Sequence, residues 1–467
     1  MKMTSMMNKK MLSDKLELPA ASGKYLPNRL VKASTTESLA DPNTSLPNRN
    51  HNHLYKQWAN GGCGMIITGN VMIDRKCREA PRNVVLDEAN EDDLQPFQHW
   101  ADSMRTSIQN PLVIMQLNHP GRQSPLSVTG LFSRPKAPSG GAKGRIRLPG
   151  MLGKIVGRLA IRSPSELKTD EIQTIIQQFA VSARLAEAAG FDGIQIHAAH
   201  GYLLSQFLST SANLRTDDYG GDRKRRRRLL LEVIDAVIDS TSSTFVVGVK
   251  INCKDHSTDG LEKEDECLEL ATELCQKRID FIELSGGGFE EGLMVSQSAD
   301  GNGFSFIRPF SERLNDAMEK DDSSSKKPPL VVQTGGFRTT KGMETVIQEG
   351  KADLIGLARP LCIDPAIARG LLSGMIDAAP SENIQCFFAK ALLDPALNSL
   401  WYQRQIELLS IGKDSDPNLS ILYTLSFTFA RCYIWDPALL RISPSLVAFM
   451  SAGAIVGMVG AIFLLTK

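Results

Sequence analysis

The chain has no CxxC pair and no cysteine spacing that suits zinc or an iron-sulfur cluster: its eight cysteines stand at 63, 77, 253, 267, 275, 362, 386 and 432. They read as reduced, intracellular thiols. Net charge is nearly absent too, at +1, which excludes a global field that would gather nucleic acid or an anionic surface; a charged partner has to be held by a local patch. The first ten residues, Met1 to Lys10, are polar and lack the apolar core of a secretory signal. No repeat at a solenoid period is visible.

What is present is a chain of 467 residues, 42% apolar and 22% charged, enough to bury a large core. Short apolar runs alternate with helix-length amphipathic segments, the pattern of βα units. Eight strands are predicted: Arg29 to Lys32, Met65 to Thr68, Leu112 to Gln116, Gly193 to His197, Val246 to Ile251, Phe281 to Leu284, Leu330 to Thr334 and Leu354 to Ala358. Eight units favour an α/β fold closed as a (β/α)8 TIM barrel. The clearest helix follows Thr169, a suitable N-cap, with a stripe of Ile172, Ile175, Ile176, Phe179, Ala180 and Ala183 and a stop at Gly190. Arg223 to Arg228 reads as the solvated start of another helix, since Leu229, Leu230, Val233 and Ile234 continue an amphipathic pattern; nucleic-acid binding is not expected of it.

The Gly/Pro-rich, basic stretch from Gly121 to Ser165 is too long for an ordinary connection and is expected to be a lid over the barrel mouth. Asp321 to Pro329 is a solvated linker. Residues 1–25 form a lead-in, 26–380 the barrel and 381–440 a helical C-terminal extension, whose aromatics, Trp401, Tyr402, Tyr423, Tyr433 and Trp435, either meet a bilayer interface or pack on the barrel. Residues 445–466 carry no charge and are long enough for a single C-terminal transmembrane helix, with the body on the cytoplasmic side; a buried terminal helix is the alternative.

In such a barrel the active site lies at the C-terminal ends of the strands. The polar residues there are Thr36, Asn70, Gln116, His197, His200, Lys250, the turn Gly335-Gly336-Phe337-Arg338, and Arg359 after Ala358. Taken alone, His197 and His200 are an unremarkable pair or half a metal site, though no Asp, Glu or Cys in their motif completes a sphere; no metal is expected. Lys250 could be a buried lysine paired with an acid, Tyr202 a packing residue, and Gln116 and Thr36 capping side chains.

Four motifs go further. Arg29-Leu30-Val31-Lys32-Ala33-Ser34-Thr35-Thr36, Gln116-Leu117-Asn118-His119-Pro120-Gly121-Arg122, Gly335-Gly336-Phe337-Arg338 and, above all, the run from His197 to Leu208 with Asn213 to Gly221 resemble the Old Yellow Enzyme, or NADH:flavin oxidoreductase, family. They occur in family order across about Leu26 to Pro365. The resemblance implies an FMN-binding barrel that takes hydride from NADH or NADPH and reduces an activated C=C bond of a small apolar α,β-unsaturated carbonyl compound. Gly336, Arg338, Ala358 and Arg359 would hold the phosphate, and Lys250 the N1/O2 edge of the flavin. Gln116 would take its pyrimidine edge; Ala33, Thr36 and Asn70 would line the ring and its O4 side. His197 and His200 would polarise the carbonyl and Tyr202 would protonate the α-carbon.

This chain departs from the family where arginines replace its usual Asn-Arg run after Gly221, and where lysine stands at 250 in place of a common arginine, keeping charge but losing the bidentate fork. A homodimer is a further expectation. The alternatives are flavin-dependent oxidation or isomerisation of a secondary metabolite on the same barrel, and a tail-anchored scaffold without activity.

Overall fold

The computed structural model describes residues 11–21, 23–105, 109–129, 133–146, 162–253, 261–285, 307–320, 327–380, 382, 390–420 and 424. Eight parallel strands close on themselves: β1 (Leu30–Lys32), β2 (Met65–Met72), β3 (Leu112–Asn118), β4 (Gly193–Ala198), β5 (Val246–Asn252), β6 (Phe281–Ser285), β7 (Leu330–Thr334) and β8 (Leu354–Leu357). Each pairs with its neighbours in chain order, and β8 returns to β1 through Gly356 opposite Val31. All eight expected strands are present; β2 runs four residues further than its apolar run, through a register shift between Ile67 and Asn70 that carries Asn70 to the mouth.

Alternation along each strand sorts the core into two layers. Val31, Met65, Ile67, Ile114, Val246 and Phe281 fill the lower interior of the barrel. A small hairpin, Leu16–Glu17 with Tyr25–Leu26, plugs that end, and Asp280 fixes it by accepting from the amides of Ala20 and Ala21 at 3.0 and 2.7 Å. The opposite end, at the strands' C-termini, carries the polar residues. Outward-facing apolar residues meet the helices α1 (Arg49–Asn60), α2 (Gln95–Arg105), α3 (Thr169–Ala188), α4 (Arg223–Ser240), α5 (Leu261–Leu274), α6 (Ile307–Lys320), α7 (Thr340–Gln348) and α8 (Ile367–Ser373).

The predicted stripe of α3 is buried throughout, but its N-cap is Lys168 rather than Thr169, because Glu171 reaches back to accept from the Lys168 amide at 2.9 Å. Helix α4 starts after Asp222, whose side chain accepts from the Arg225 amide. Its arginines are ion-paired more than solvated: Arg223, Arg226 and Arg227 engage Glu266, Glu269 and Glu273 of α5.

One cation sits in the wall itself. Lys32 is buried, its Nζ 4.2 Å from the Trp58 ring centre, and donates to the carbonyls of Ala33 and Ile67 and to the Thr35 hydroxyl at 3.0–3.2 Å. Burial lowers it to about 8. Nearby Glu37 accepts from the Tyr55 hydroxyl and the Gly69 amide, so the loop after β1 is pinned to α1 and to β2.

The C-terminal extension contributes α9 (Lys390–Ser410), in which Trp401 and Tyr402 are buried against the rest of the fold, so of the two settings expected for them the packing one holds. The expected transmembrane helix is corrected. Among the described residues no helix is long and apolar enough to cross a membrane; α9 has the length but its sequence includes Lys390, Asp394, Arg404 and Glu407. Residues 445–466, whose composition alone suggested the span, lie outside the described residues, and the membrane location drawn from them is withdrawn. Of the expected lid, residues 130–132 and 147–161 also lie outside; its described ends meet as Lys136–Ala137 paired with Ser165–Glu166. Most of the linker at 321–329 is outside as well.

Candidate active site

Strand β4 ends in His197 and Ala198 and leads into a turn in which His200 takes a left-handed backbone conformation (φ 58°), followed by Gly201 (φ 72°). This reversal brings three rings together: the His197 centroid lies 5.2 Å from that of His200 and 4.8 Å from that of Tyr202, both edge to face. His197 Nδ1 accepts from the Ala199 amide at 3.2 Å, which places the proton of the neutral ring on Nε2. His200 Nε2 lies 2.9 Å from the Ser285 hydroxyl at the end of β6. Burial first, and the neighbouring Lys250 charge second or third, hold both imidazoles well below their ordinary range, so at neutral pH both are uncharged donors.

A line of polar side chains crosses the barrel beside them. The Ser34 hydroxyl donates to Gln116 Oε1 (2.7 Å), Gln116 Nε2 to Gln195 Oε1 (2.6 Å), and Gln195 Nε2 to Glu283 Oε2 (2.7 Å); Glu283 in turn pairs with Lys250 Nζ at 2.8 Å. Glu283 is fully buried. Gln195 and Glu283 have a signal in the sequence, each being a polar residue set between two apolar ones inside a buried strand, Ile194 and Ile196 in β4 and Ile282 and Leu284 in β6. The bland alternative for Lys250, pairing with an acid, is what the geometry shows; this also makes it an internal charge held at a defined place.

On the other side stand Thr36, Asn70 and Tyr202, gathered by a residue the sequence did not point to. Glu79 Oε1 accepts from the Thr36 hydroxyl at 2.9 Å and from Asn83 Nδ2 at 3.3 Å; Asn70 Nδ2 reaches both carboxyl oxygens at 3.1 Å, and the Tyr202 hydroxyl donates to Oε2. Asn70 Nδ2 also lies 3.3 Å from the Tyr202 oxygen. Burial, then the Glu79 charge, push the Tyr202 phenol well above its ordinary value. Ala33 is buried and donates its amide to Leu357 at 2.9 Å, which ties the first loop to the eighth strand.

The second group lies on loops seven and eight. Gly335 and Gly336 (φ 122° and 77°) turn the chain after β7 so that Arg338 folds inward, and Ala358 caps the short helix Arg359–Ile363. Arg338 donates from Nη1 to the Phe337 carbonyl at 2.6 Å, while its buried Nε and Nη2 have no hydrogen-bond partner among the described residues. Burial and the adjacent Arg359 lower Arg338 to about 10, and burial lowers Arg359 also. Two partly buried guanidiniums side by side, one with unused donors, are the donor set an oxyanion such as a phosphate requires. With a polar-edged interior a short distance along the same rim, the residues present fit a flavin mononucleotide.

A cleft between α4 and α5, lined by Arg223, Arg226, Arg227 and Glu266, reaches Ala198, Ile251 and Asn252 at the ends of β4 and β5, and its arginines are ion-paired. Separately, Asp74, Cys77 and His119 bring three potential ligand atoms within 4.8 Å of one another; there burial and Asp74 push the Cys77 thiol up to about 12, which keeps it protonated.

Known proteins share the sequence pattern and the fold of this chain. The model of the NADH:flavin oxidoreductase / NADH oxidase family matches residues 21–377. An NADH-dependent flavin oxidoreductase, iliE, of Hypocrea jecorina (strain QM6a) is 35% identical over 86% of this chain and 97% of its own length. Its counterpart in Neonectria sp. (strain DH2) is 37% identical over 74% of this chain, which spans 45% of that relative's length. Among solved structures, the old yellow enzyme homologue from Zymomonas mobilis superposes with a TM-score of 0.64 at 23% identity, covering 80% of this chain and 95% of that one, a likeness of fold. The chain belongs to the NADH:flavin oxidoreductase / NADH oxidase family, an oxidoreductase whose cofactors are FMN and NADH or NADPH.

Proposed function

We propose that this enzyme reduces the activated C=C bond of an α,β-unsaturated carbonyl compound. The observation that carries the reading is the end of β4 with the turn that follows it, where the neutral His197 ring lies 5.2 Å from the neutral His200 ring and 4.8 Å from the Tyr202 phenol. When bound, FMN supplies the hydride that it has taken from NADH or NADPH.

The chain's own groups do the rest. Arg338 and Arg359, with the backbone of Gly336 and Ala358, bind the phosphate. Gln116 and the Lys250–Glu283 pair orient the pyrimidine edge, and Ala33, Thr36 and Asn70 line the opposite edge. His197 and His200 donate to the substrate's carbonyl oxygen, so that negative charge developing there is stabilised in a site shielded from water. Tyr202 holds the proton that ends on the α-carbon.

The test is anaerobic mixing of the FMN-loaded, NADH-reduced protein with cyclohexenone. Return of the yellow absorbance with formation of cyclohexanone is expected; indifference to every enone tried overturns the reading. Protein that takes up no FMN would instead favour a scaffold without activity. The second reading, isomerisation on the same barrel, is favoured by one specific observation, the carboxyl group against Tyr202.

A further inference from the structure

We propose that Glu79 is the far end of a proton relay through Tyr202, and that this pair removes and returns an α-proton of a carbonyl compound with no change in the redox state of the flavin. The inference rests on the reading of Tyr202 as the proton-transfer group of the site.

Glu79 receives donors from four side chains, Thr36, Asn70, Asn83 and Tyr202, and offers none in return. A carboxyl group surrounded in this way is acceptor-only, which is the ionised form. Asn70 spans both of its oxygens and the Tyr202 oxygen, so the pair is held in one geometry. A base is thereby fixed directly against the phenol.

The consequence is chemical. Tyr202 acting alone would have to become a phenolate beside a carboxylate, and its pKa, raised by burial and by Glu79, makes that form costly. A coupled transfer avoids it. As the substrate's α-C–H bond breaks, its proton passes to the Tyr202 oxygen while the phenol's own proton passes to Glu79 Oε2. The C–H electron pair moves into the carbonyl to give an enolate, whose oxygen accepts from His197 and His200. The reverse sequence returns a proton to carbon. Tyr202 ends each cycle as a phenol, Glu79 alternates between carboxylate and acid, and no oxidant or reductant is consumed. In enone reduction the same relay runs in the donating direction only, with Glu79 taking up the solvent proton that Tyr202 delivers.

The experiment follows deuterium uptake at the α-carbons of cyclohexanone in D2O, with FMN-loaded enzyme and no NADH or NADPH. Wild type should exchange well above the uncatalysed rate. Glu79→Gln keeps the size and an acceptor oxygen but cannot take the proton; it should slow exchange about 100-fold, the low end of the range for a positioned acid or base. Glu79→Asp restores the carboxyl group and should recover at least about tenfold over the glutamine variant. FMN absorbance and thermal melting show that each variant is folded and loaded. No exchange by wild type, or exchange by Glu79→Gln within about threefold of wild type, overturns the relay. Enone reduction is measured beside it: reduction without exchange defeats the relay alone, and exchange without reduction defeats the reduction reading alone.

Discussion

Replacing Arg338 with methionine should make the cofactor-free protein more stable and the cofactor-bound protein weaker. In the folded chain Arg338 is partly buried and is lowered from the ordinary arginine range to about 10 by burial and by Arg359. At roughly 1.4 kcal/mol per pKa unit this is on the order of 3 kcal/mol of strain in the charged form at neutral pH. The cost is present at any pH below about 10 and disappears only as the folded-state group deprotonates, so it operates throughout the physiological range. Methionine, similar in length and uncharged, removes it.

The same guanidinium offers Nε and Nη2 to an anion. Two charge-assisted hydrogen bonds, each worth about 1.5–3 kcal/mol, set the loss in FMN affinity at about 100-fold to 10,000-fold. The assay is a pair of melting curves with and without excess FMN, together with an FMN titration followed by quenching of its fluorescence. The melting temperature of the variant without FMN should rise, by as much as several degrees, and the increment on adding FMN should shrink. An FMN affinity within threefold of wild type would refute the assignment of this arginine to the phosphate. A fall in the melting temperature of the FMN-free variant would refute the strain argument.

Other outcomes follow from the same geometry. Glu283→Gln leaves Lys250 buried without its counter-charge; unfolding by denaturant should show a loss of about 3–5 kcal/mol, and redox titration of the bound flavin should show a more positive potential. Because burial holds His197 and His200 neutral, stability should be full above about pH 6.5, the unfolded histidine value, and fall as the pH drops below it, where the unfolded chain binds protons that the folded one does not. The double variant His197→Asn, His200→Asn should flatten that slope in urea titrations at several pH values. Gly69→Ala would drive a Cβ into Glu37 Oε2 and to 2.6 Å from the Thr35 carbonyl. Overpacking should cost about 1–3 kcal/mol and weaken FMN binding by pushing the loop after β1 away from β2, as melting and titration would show.

The barrel was legible because its signal is local and repeated. Each buried strand is a short apolar run and each helix an amphipathic one, and Ile172, Ile175, Ile176, Phe179 and Ala183 are buried as their spacing requires. Boundaries were less legible: Glu171 moved the cap of α3 to Lys168, and a register shift lengthened β2. The apolar stretch at 445–466 shows the limit of composition, since uncharged length alone does not establish a membrane span, and among the described helices none has both the length and the apolarity. Trp401 and Tyr402 left two settings open in the sequence, and only packing chose the buried one.

In the site, the sequence by itself determined which residues stand at the strand ends, because in a parallel barrel the order of strand, turn and helix places those positions on one rim. Gln116, Lys250, His197, His200 and the two arginines needed no coordinates to be brought under suspicion. What they touch was decided by tertiary structure alone. Lys250 meets Glu283 and Tyr202 meets Glu79 across separations of 33 and 123 residues. No local pattern encodes such a meeting, since a carboxyl group in a loop reads the same whether it faces water or a phenol. Burial and partnership, which set the charge and the proton affinity of each group, come into being only when the barrel closes.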